Sequence, residues 1–218
     1  MNTPQNEEAL VARAHDLMGF SLGELAANYN ITAPDLLLNG KGWSGVFMEL
    51  LLGATAGSLA EPDFQHLGIE LKTIPINQQG KPLESTYISI VPLNRFIGLK
   101  WKESEVYHKL KRILWVPLLA GKTISPAERR IGRALLWSPT NEQEMQLQQD
   151  WQELMDRVAL GELDAISASM GKYLQMRPKG ANAASRCWGI DREGNRVRVS
   201  PRGFYLRPSF TQGILALH

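Results

Sequence analysis

Three side chains set the chemistry to be explained: Asp63, Glu70 and Lys72, in the pattern D-x6-E-x-K. A strand sends alternate side chains to one face, so Glu70 and Lys72 share a face while Ile69 and Leu71 turn to the opposite, packed one. Asp63 precedes the strand, in a stretch that can bend back beside Glu70. Two adjacent carboxylates repel, and a divalent cation relieves the repulsion. Ligation by oxygen alone suits Mg2+, which keeps several waters and binds phosphate oxygens. An ammonium beside that ion can lower the pKa of an attacking water or steady a pentavalent phosphorus transition state, so the set describes metal-assisted phosphodiester hydrolysis. Glu49 is the fourth candidate. It sits among Phe47, Met48, Leu50 and Leu51, and a carboxylate buried there needs a partner such as a metal cluster. The competing structural readings are a solvated Glu/Lys pair on a surface strand, and a Glu49 that snorkels or pairs with an arginine.

The elements that must position these groups follow from periodicity. Residues 6–19 place Leu10, Ala14, Leu17 and Met18 on one stripe, which predicts an amphipathic helix. Ser21 and Glu24 form a capping box that opens a short second helix. Residues 43–56 are apolar nearly all round, as in a helix buried in the middle of a domain. Strict alternation over 67–74 predicts a strand. Further strands are expected over 86–92 and 112–116, the latter too apolar for an edge. The run Asn77-Gln-Gln-Gly80 reads as a hairpin turn joining the strands at 67–74 and 86–92. Thr140 and Gln143 make a second capping box, starting a helix to about Leu160 that buries Leu147, Trp151, Leu154 and Val158. Short strands are expected at 173–176 and 204–206, a loop or hairpin over 191–200, and a closing helix over 209–217. Interleaved strands and helices give an α/β or α+β fold with one mixed sheet. With no long linker, the expectation is a single domain of two lobes, about 1–100 with the catalytic motif and 101–218.

Composition narrows the class. The chain has 218 residues, 44% of them apolar and 21% charged, enough to bury a real core and unlike a disordered or fibrous chain. One cysteine, Cys187, excludes an internal disulfide and a thiolate metal cluster, and fits a reducing compartment. No secretory leader and no uncharged apolar run of membrane-spanning length is present, so a soluble cytoplasmic protein is expected. The net charge of +2 is unevenly spread. Residues 1–100 hold six Lys/Arg against ten Asp/Glu, 101–140 eight against three, 141–170 one against seven, and 171–218 nine against two. Two basic blocks around an acidic helix suggest a surface facing a polyanion. The four histidines have no metal-like spacing and receive no chemical role, and the six tryptophans read as core or lobe-interface residues.

The runs KGWSGVFMEL (41–50), DFQHLGIELKTIP (63–75), HKLKRILWVP (108–117), LLWSP (135–139), QMRPKGAN (175–182) and PRGFYL (201–206) resemble the MutH family of methyl-directed mismatch-repair endonucleases. The resemblance runs from the first helix to near the C-terminus. It implies a restriction-endonuclease-like fold, a central mixed sheet flanked by helices with two lobes around a DNA cleft. It implies Mg2+-dependent nicking of the unmethylated strand 5′ to the G of hemimethylated GATC, activated by MutL, with Mn2+ or Ca2+ able to substitute in binding. By position it makes Asp63, Glu70 and Lys72 the catalytic triad and Glu49 the additional helix carboxylate. The implied metal ligands are Asp63, Glu70, the Leu71 carbonyl and Glu49. Lys72 orients or activates the nucleophilic water, and Lys109 steadies the phosphate or transition state. Base reading falls to the loop Arg177-Pro178-Lys179-Gly180, where an arginine fork can donate twice to guanine O6 and N7. Tyr205 is matched to sensing of adenine methylation, Lys41 and Gly42 to DNA contact ahead of the catalytic helix, and Tyr87 to an aromatic wedge.

A monomer is expected, because one active site cuts one strand. A type II restriction enzyme reading GATC would need a dimer or a duplicated half, which a single D-x6-E-x-K unit argues against. A catalytically silent DNA-binding module gains nothing from carboxylates facing phosphates. The stretch 183–200 carries no match, and its basic residues are candidate phosphate contacts. The resemblance links the final helix, which leads to His218, with lobe motion and the response to MutL.

Overall fold

The computed structural model describes residues 2–34, 42–57, 59, 61–94, 96 and 98–216. In chain order the elements are α1 (Glu7–Asp16), α2 (Leu22–Asn28), α3 (Trp43–Leu52), β1 (Glu70–Ile76), β2 (Thr86–Ile90), α4 (Glu105–Leu110), β3 (Ile113–Leu119), β4 (Arg130–Ile131), β5 (Leu135–Trp137), α5 (Asn141–Ala159), β6 (Leu174–Pro178), β7 (Cys187–Ile190), β8 (Arg196–Val199), β9 (Arg202–Leu206) and α6 (Pro208–Leu215). They fall into two compact units. The first comprises Met1–Glu84, Lys111–Ser138 and Gln212–His218; the second comprises Ser85–Leu110 and Pro139–Thr211. The units therefore draw on interleaved stretches of chain.

In the first unit β1 runs parallel to β3, in register from Glu70↔Ile113 to Ile76↔Leu119, and β4 and β5 pair antiparallel with β3. The apolar run of β3 is buried from Ile113 to Leu118, as an interior strand requires. Helices α1 to α3 supply Leu10, Ala14, Leu22, Leu25, Phe47, Met48 and Leu51 to one core with Ile69, Leu71, Leu114 and Val116. The N-terminal ends of α1 and α2 obey local chemistry. Asn6 accepts from the Ala9 amide, and Ser21 and Glu24 exchange the two bonds of a capping box. Helix α3 begins and ends on left-handed glycines, Gly42 (φ +84) and Gly53 (φ +80).

The second unit is built on an antiparallel sheet, β2-β9-β6, and a separate hairpin, β7-β8. Leu174, Met176, Phe204, Leu206 and Ile88 are buried in this unit together with Trp151 and Leu154 of α5. The Thr140/Gln143 capping box opens α5 as expected. Within α5, Asp150 is 2% exposed and accepts from the amides of Tyr173 (2.6 Å) and Leu174 (2.9 Å) and from Gln146 (2.8 Å), tying the helix to the start of β6.

Four expectations need correction. Among the described residues there are three sheets where one was expected; the sheet of the first unit is the mixed one, with β1 parallel and β4 and β5 antiparallel to β3. The turn at Asn77–Gly80 is real, with Asn77 Oδ1 accepting from the Gln79 and Lys81 amides. It does not join two paired strands, because β2 pairs with β9 in the other unit. The strand expected from 67 begins at Glu70, since residues 65–67 form a 3-10 turn. Helix α3 ends at Leu52 and is not buried all round: Val46 is 65% and Leu50 47% exposed.

Candidate active site and nucleic-acid interface

A short loop delivers Asp63 to the head of β1. Phe64 and Ile69 exchange backbone hydrogen bonds (2.9 and 3.3 Å) across the 3-10 turn at 65–67, and Gly68 takes φ +64 to close it. The Asp63 carbonyl accepts from Thr55 (2.9 Å) and Ala56 (3.3 Å), in the segment that follows α3. Its carboxylate Oδ2 accepts from the Leu71 amide at 2.8 Å. The six residues between Asp63 and Glu70 are thus the length of one closed loop.

That contact orients a third oxygen. The Glu70 amide donates to Arg112 O beside β3, so the Leu71 amide, one residue on, points to the other edge of β1. In a strand the N–H and C=O of one residue lie along the same edge. The Leu71 carbonyl therefore shares the Asp63 side of β1. Glu70 is 2% exposed and its Oε1 accepts from Lys72 Nζ at 2.5 Å. Both sit on the same side of the strand, as period two requires. Leu71 and Ile69 are buried on the opposite face.

The structure thus brings Asp63, Glu70, the Leu71 carbonyl and Lys72 together. It places Glu49, half-buried, on the last turn of α3, the helix that crosses β1 where Gly45 faces Thr73. Among the described residues no group of three His, Cys, Asp or Glu is arranged to hold a metal ion. Two carboxylates and a carbonyl still fit a hard divalent cation, which completes its shell with water and substrate phosphate. Without imidazole or thiolate at this edge, a softer metal finds no preferred donor.

Lys109 belongs to the second unit, on α4, where its Nζ lies 3.7 Å from Glu105. Gly42 is exposed at the N-cap of α3. Lys41 lies outside the described residues.

Tyr87, Tyr205 and Arg177 share one face of the β2-β9-β6 sheet. Tyr87 pairs with Tyr205, Tyr205 with Gln175, and Gly203 with Arg177. The tyrosine rings meet edge to face at 5.4 Å. The Arg177 guanidinium lies 5.8 Å from the Tyr205 ring centroid, and Lys179 Nζ 4.4 Å from that of Tyr87. A Cβ at Gly203 would come within 3.1 Å of both tyrosine rings, which explains the glycine there. Arg177 and Pro178 close strand β6, so only Lys179 and Gly180 of the expected loop are loop residues. Gly180 has a local reason as well: a Cβ would meet Ser185 at 2.7 Å, where the loop folds on itself. Sequence reasoning passed over Ser85, whose hydroxyl accepts from Gln175 (2.8 Å) and Arg177 (3.1 Å). Its signal was parity, since Ser85 falls two residues before Tyr87.

His15 and His66 hydrogen-bond with the backbone carbonyls of Ala134 and Pro4. No helix of the described residues is long and apolar enough to cross a membrane.

An acidic pair with a lysine at a strand edge, on a mixed α/β fold, marks a DNA-repair enzyme once the known proteins are compared. The family profile described as "DNA mismatch repair enzyme MutH" matches residues 52–150. The "DNA mismatch repair protein MutH" of Escherichia coli strain K12 is 48% identical over 218 residues, all of this chain and 95% of the relative. The proteins of the same name from E. coli O9:H4 (strain HS) and O1:K1 / APEC are similar to the same extent. The chain belongs to the MutH family of mismatch-repair endonucleases, whose architecture is restriction-endonuclease-like.

Proposed function

We propose that this endonuclease uses Mg2+ to nick the unmethylated strand 5′ to the G of hemimethylated GATC, and that MutL activates it. The observation that carries the reading is the Asp63–Leu71 hydrogen bond, which sets two carboxylates and one carbonyl along one strand edge with Lys72 beside them. Asp63, Glu70 and the Leu71 carbonyl would hold the cation, whose chemistry when bound would be to polarise the scissile phosphate and lower the pKa of water. Glu49 serves from α3 through intervening water.

The remaining work is done by the chain's own groups. Lys72, held against Glu70, orients the nucleophilic water or offsets charge building on phosphorus. Lys109 contacts the phosphate. Arg177 donates its fork to guanine, held by its hydrogen bond to Ser85, while Pro178 at the end of β6 and the loop residues Lys179 and Gly180 follow the groove. Tyr205 places its hydroxyl where an adenine amino group fits and an added methyl crowds. Tyr87 wedges against the bases, and Lys41 and Gly42 touch the backbone ahead of α3.

The test compares nicking of hemimethylated, unmethylated and fully methylated GATC duplexes, with Mg2+ or with chelator, and with and without a MutL protein. Expected are nicks in the unmethylated strands alone, none with chelator, and a faster rate with MutL. Glu70→Ala should abolish nicking and retain binding. Double-strand cleavage by a dimer would favour the restriction-enzyme alternative, and unaltered nicking by Glu70→Ala would remove the site assignment.

A further inference from the structure

The β7-β8 hairpin has two unlike faces. Cross-strand partners share a face, and Cys187↔Val199 and Gly189↔Val197 form the inner one. There a Cβ on Gly189 would meet Val199 at 2.7 Å and Leu163 at 3.6 Å, so this side is packed against the rest of the unit. The outer face carries Trp188↔Arg198 and Ile190↔Arg196. Trp188 is 39% exposed, against 0–5% for Trp101, Trp115, Trp137 and Trp151. Both guanidiniums lie over its ring, Arg196 at 4.3 Å and Arg198 at 5.0 Å. One Arg198 nitrogen donates to Arg186 O. Among the described residues no carboxylate lies within ion-pair distance of either arginine.

The turn of the hairpin carries two acidic residues, Asp191 and the exposed Glu193, and neither is within ion-pair distance of Arg196 or Arg198. Asp191 Oδ1 accepts from the Glu193 and Asn195 amides and builds the hairpin turn. The outer face is therefore an aromatic plate that holds two guanidiniums outward with their charge uncompensated. Nothing apolar covers it, and charge complementarity selects a polyanion.

Position in the chain selects which one. The β6/β9 pair ends at Pro178↔Arg202, and the Lys179 amide donates to Pro201 O. The hairpin is inserted at that end, immediately beyond Arg177 and Lys179. The geometry points to the outer face of β7-β8 as a second, sequence-independent contact to duplex DNA, with Arg196 and Arg198 neutralising phosphates outside the four-base-pair recognition site. This rests on the nuclease reading above.

Fluorescence anisotropy over a salt series, with Ca2+ in place of Mg2+, tests it. One hemimethylated GATC duplex ends about two base pairs beyond the site on each side; the other extends about ten further. On the long duplex, the double variant Arg196→Ala/Arg198→Ala should bind roughly tenfold more weakly, and the slope of log affinity against log salt should shrink by about 1.8, near 0.9 per phosphate released. On the short duplex it should match the parent. Arg196→Lys/Arg198→Lys should keep the parent slope, which separates lost charge from a disturbed hairpin. An unchanged slope on the long duplex, or equal losses on both, overturns the proposal while leaving the nuclease reading intact. Failure of the parent protein to bind either duplex overturns both.

Discussion

Asp63 is the residue at which fold and chemistry can be separated. Its carboxylate accepts the Leu71 amide at 2.8 Å and is also an anionic donor for a cation. Asp63→Asn keeps an oxygen able to accept that amide and loses the charge, whereas Asp63→Ala loses both. A hydrogen bond to a charged acceptor contributes about 1.5–3 kcal/mol. For a chain of this size each kcal/mol moves the midpoint of thermal unfolding by about 2–4 °C. Asp63→Ala should therefore unfold roughly 3–12 °C below the parent, and Asp63→Asn should recover most of that difference. In nicking of hemimethylated GATC duplex at fixed Mg2+, both should fall at least about a hundredfold. The divergence is the point: one variant is stable and inactive, the other unstable and inactive. If Asp63→Asn nicks within about threefold of the parent, the carboxylate charge does not serve the chemistry. If Asp63→Ala keeps the parent midpoint, the loop clamp does not hold the site.

Three further outcomes follow from contacts described above. Arg177→Ala should lose about 1–3 kcal/mol of discrimination at the guanine and relax the preference for GATC, read as binding to cognate against single-substituted duplexes; uniform weakening would make it a phosphate contact. Asp150→Ala strands two backbone amides at the α5/β6 junction and should destabilise by roughly 3 kcal/mol in urea titration, with Asp150→Asn milder. Glu24 is held below the usual carboxylate range by the Ser21 amide first and its hydroxyl second. Its contribution is thus present above the unfolded value and lost as pH falls through the folded one. Thermal midpoints of the parent and Glu24→Gln should differ at neutral pH and converge in acid.

The local part of the site was legible. D-x6-E-x-K is bridged by one closed loop, so its geometry is set by residues 63–71 and their own hydrogen bonds. The same holds for the capping boxes at Ser21 and Thr140, where donor and acceptor are three residues apart. What could not be read was pairing at a distance. The turn at Asn77 is a correct local signal, but the partner of β2 is β9, more than a hundred residues on. Asp150 looked like one more charge on an acidic helix, because the amides it accepts lie 23 and 24 residues away. In α3 the apolar pattern concealed an outward stripe at Val46 and Leu50, since uniform hydrophobicity carries no direction. Trp188 differs from the buried tryptophans through its cross-strand neighbours, which composition does not reveal.

The interleaving of the two units bears on synthesis. When β1 leaves the ribosome its parallel partner β3 is still about forty residues from completion, and a nascent chain must carry an open strand edge until then. Fragments cut near residue 110 inherit that exposed edge permanently. Shortened versions made to isolate the catalytic carboxylates should therefore clump, and a fragment that retains them needs residues 111–138 restored, in tandem or in trans.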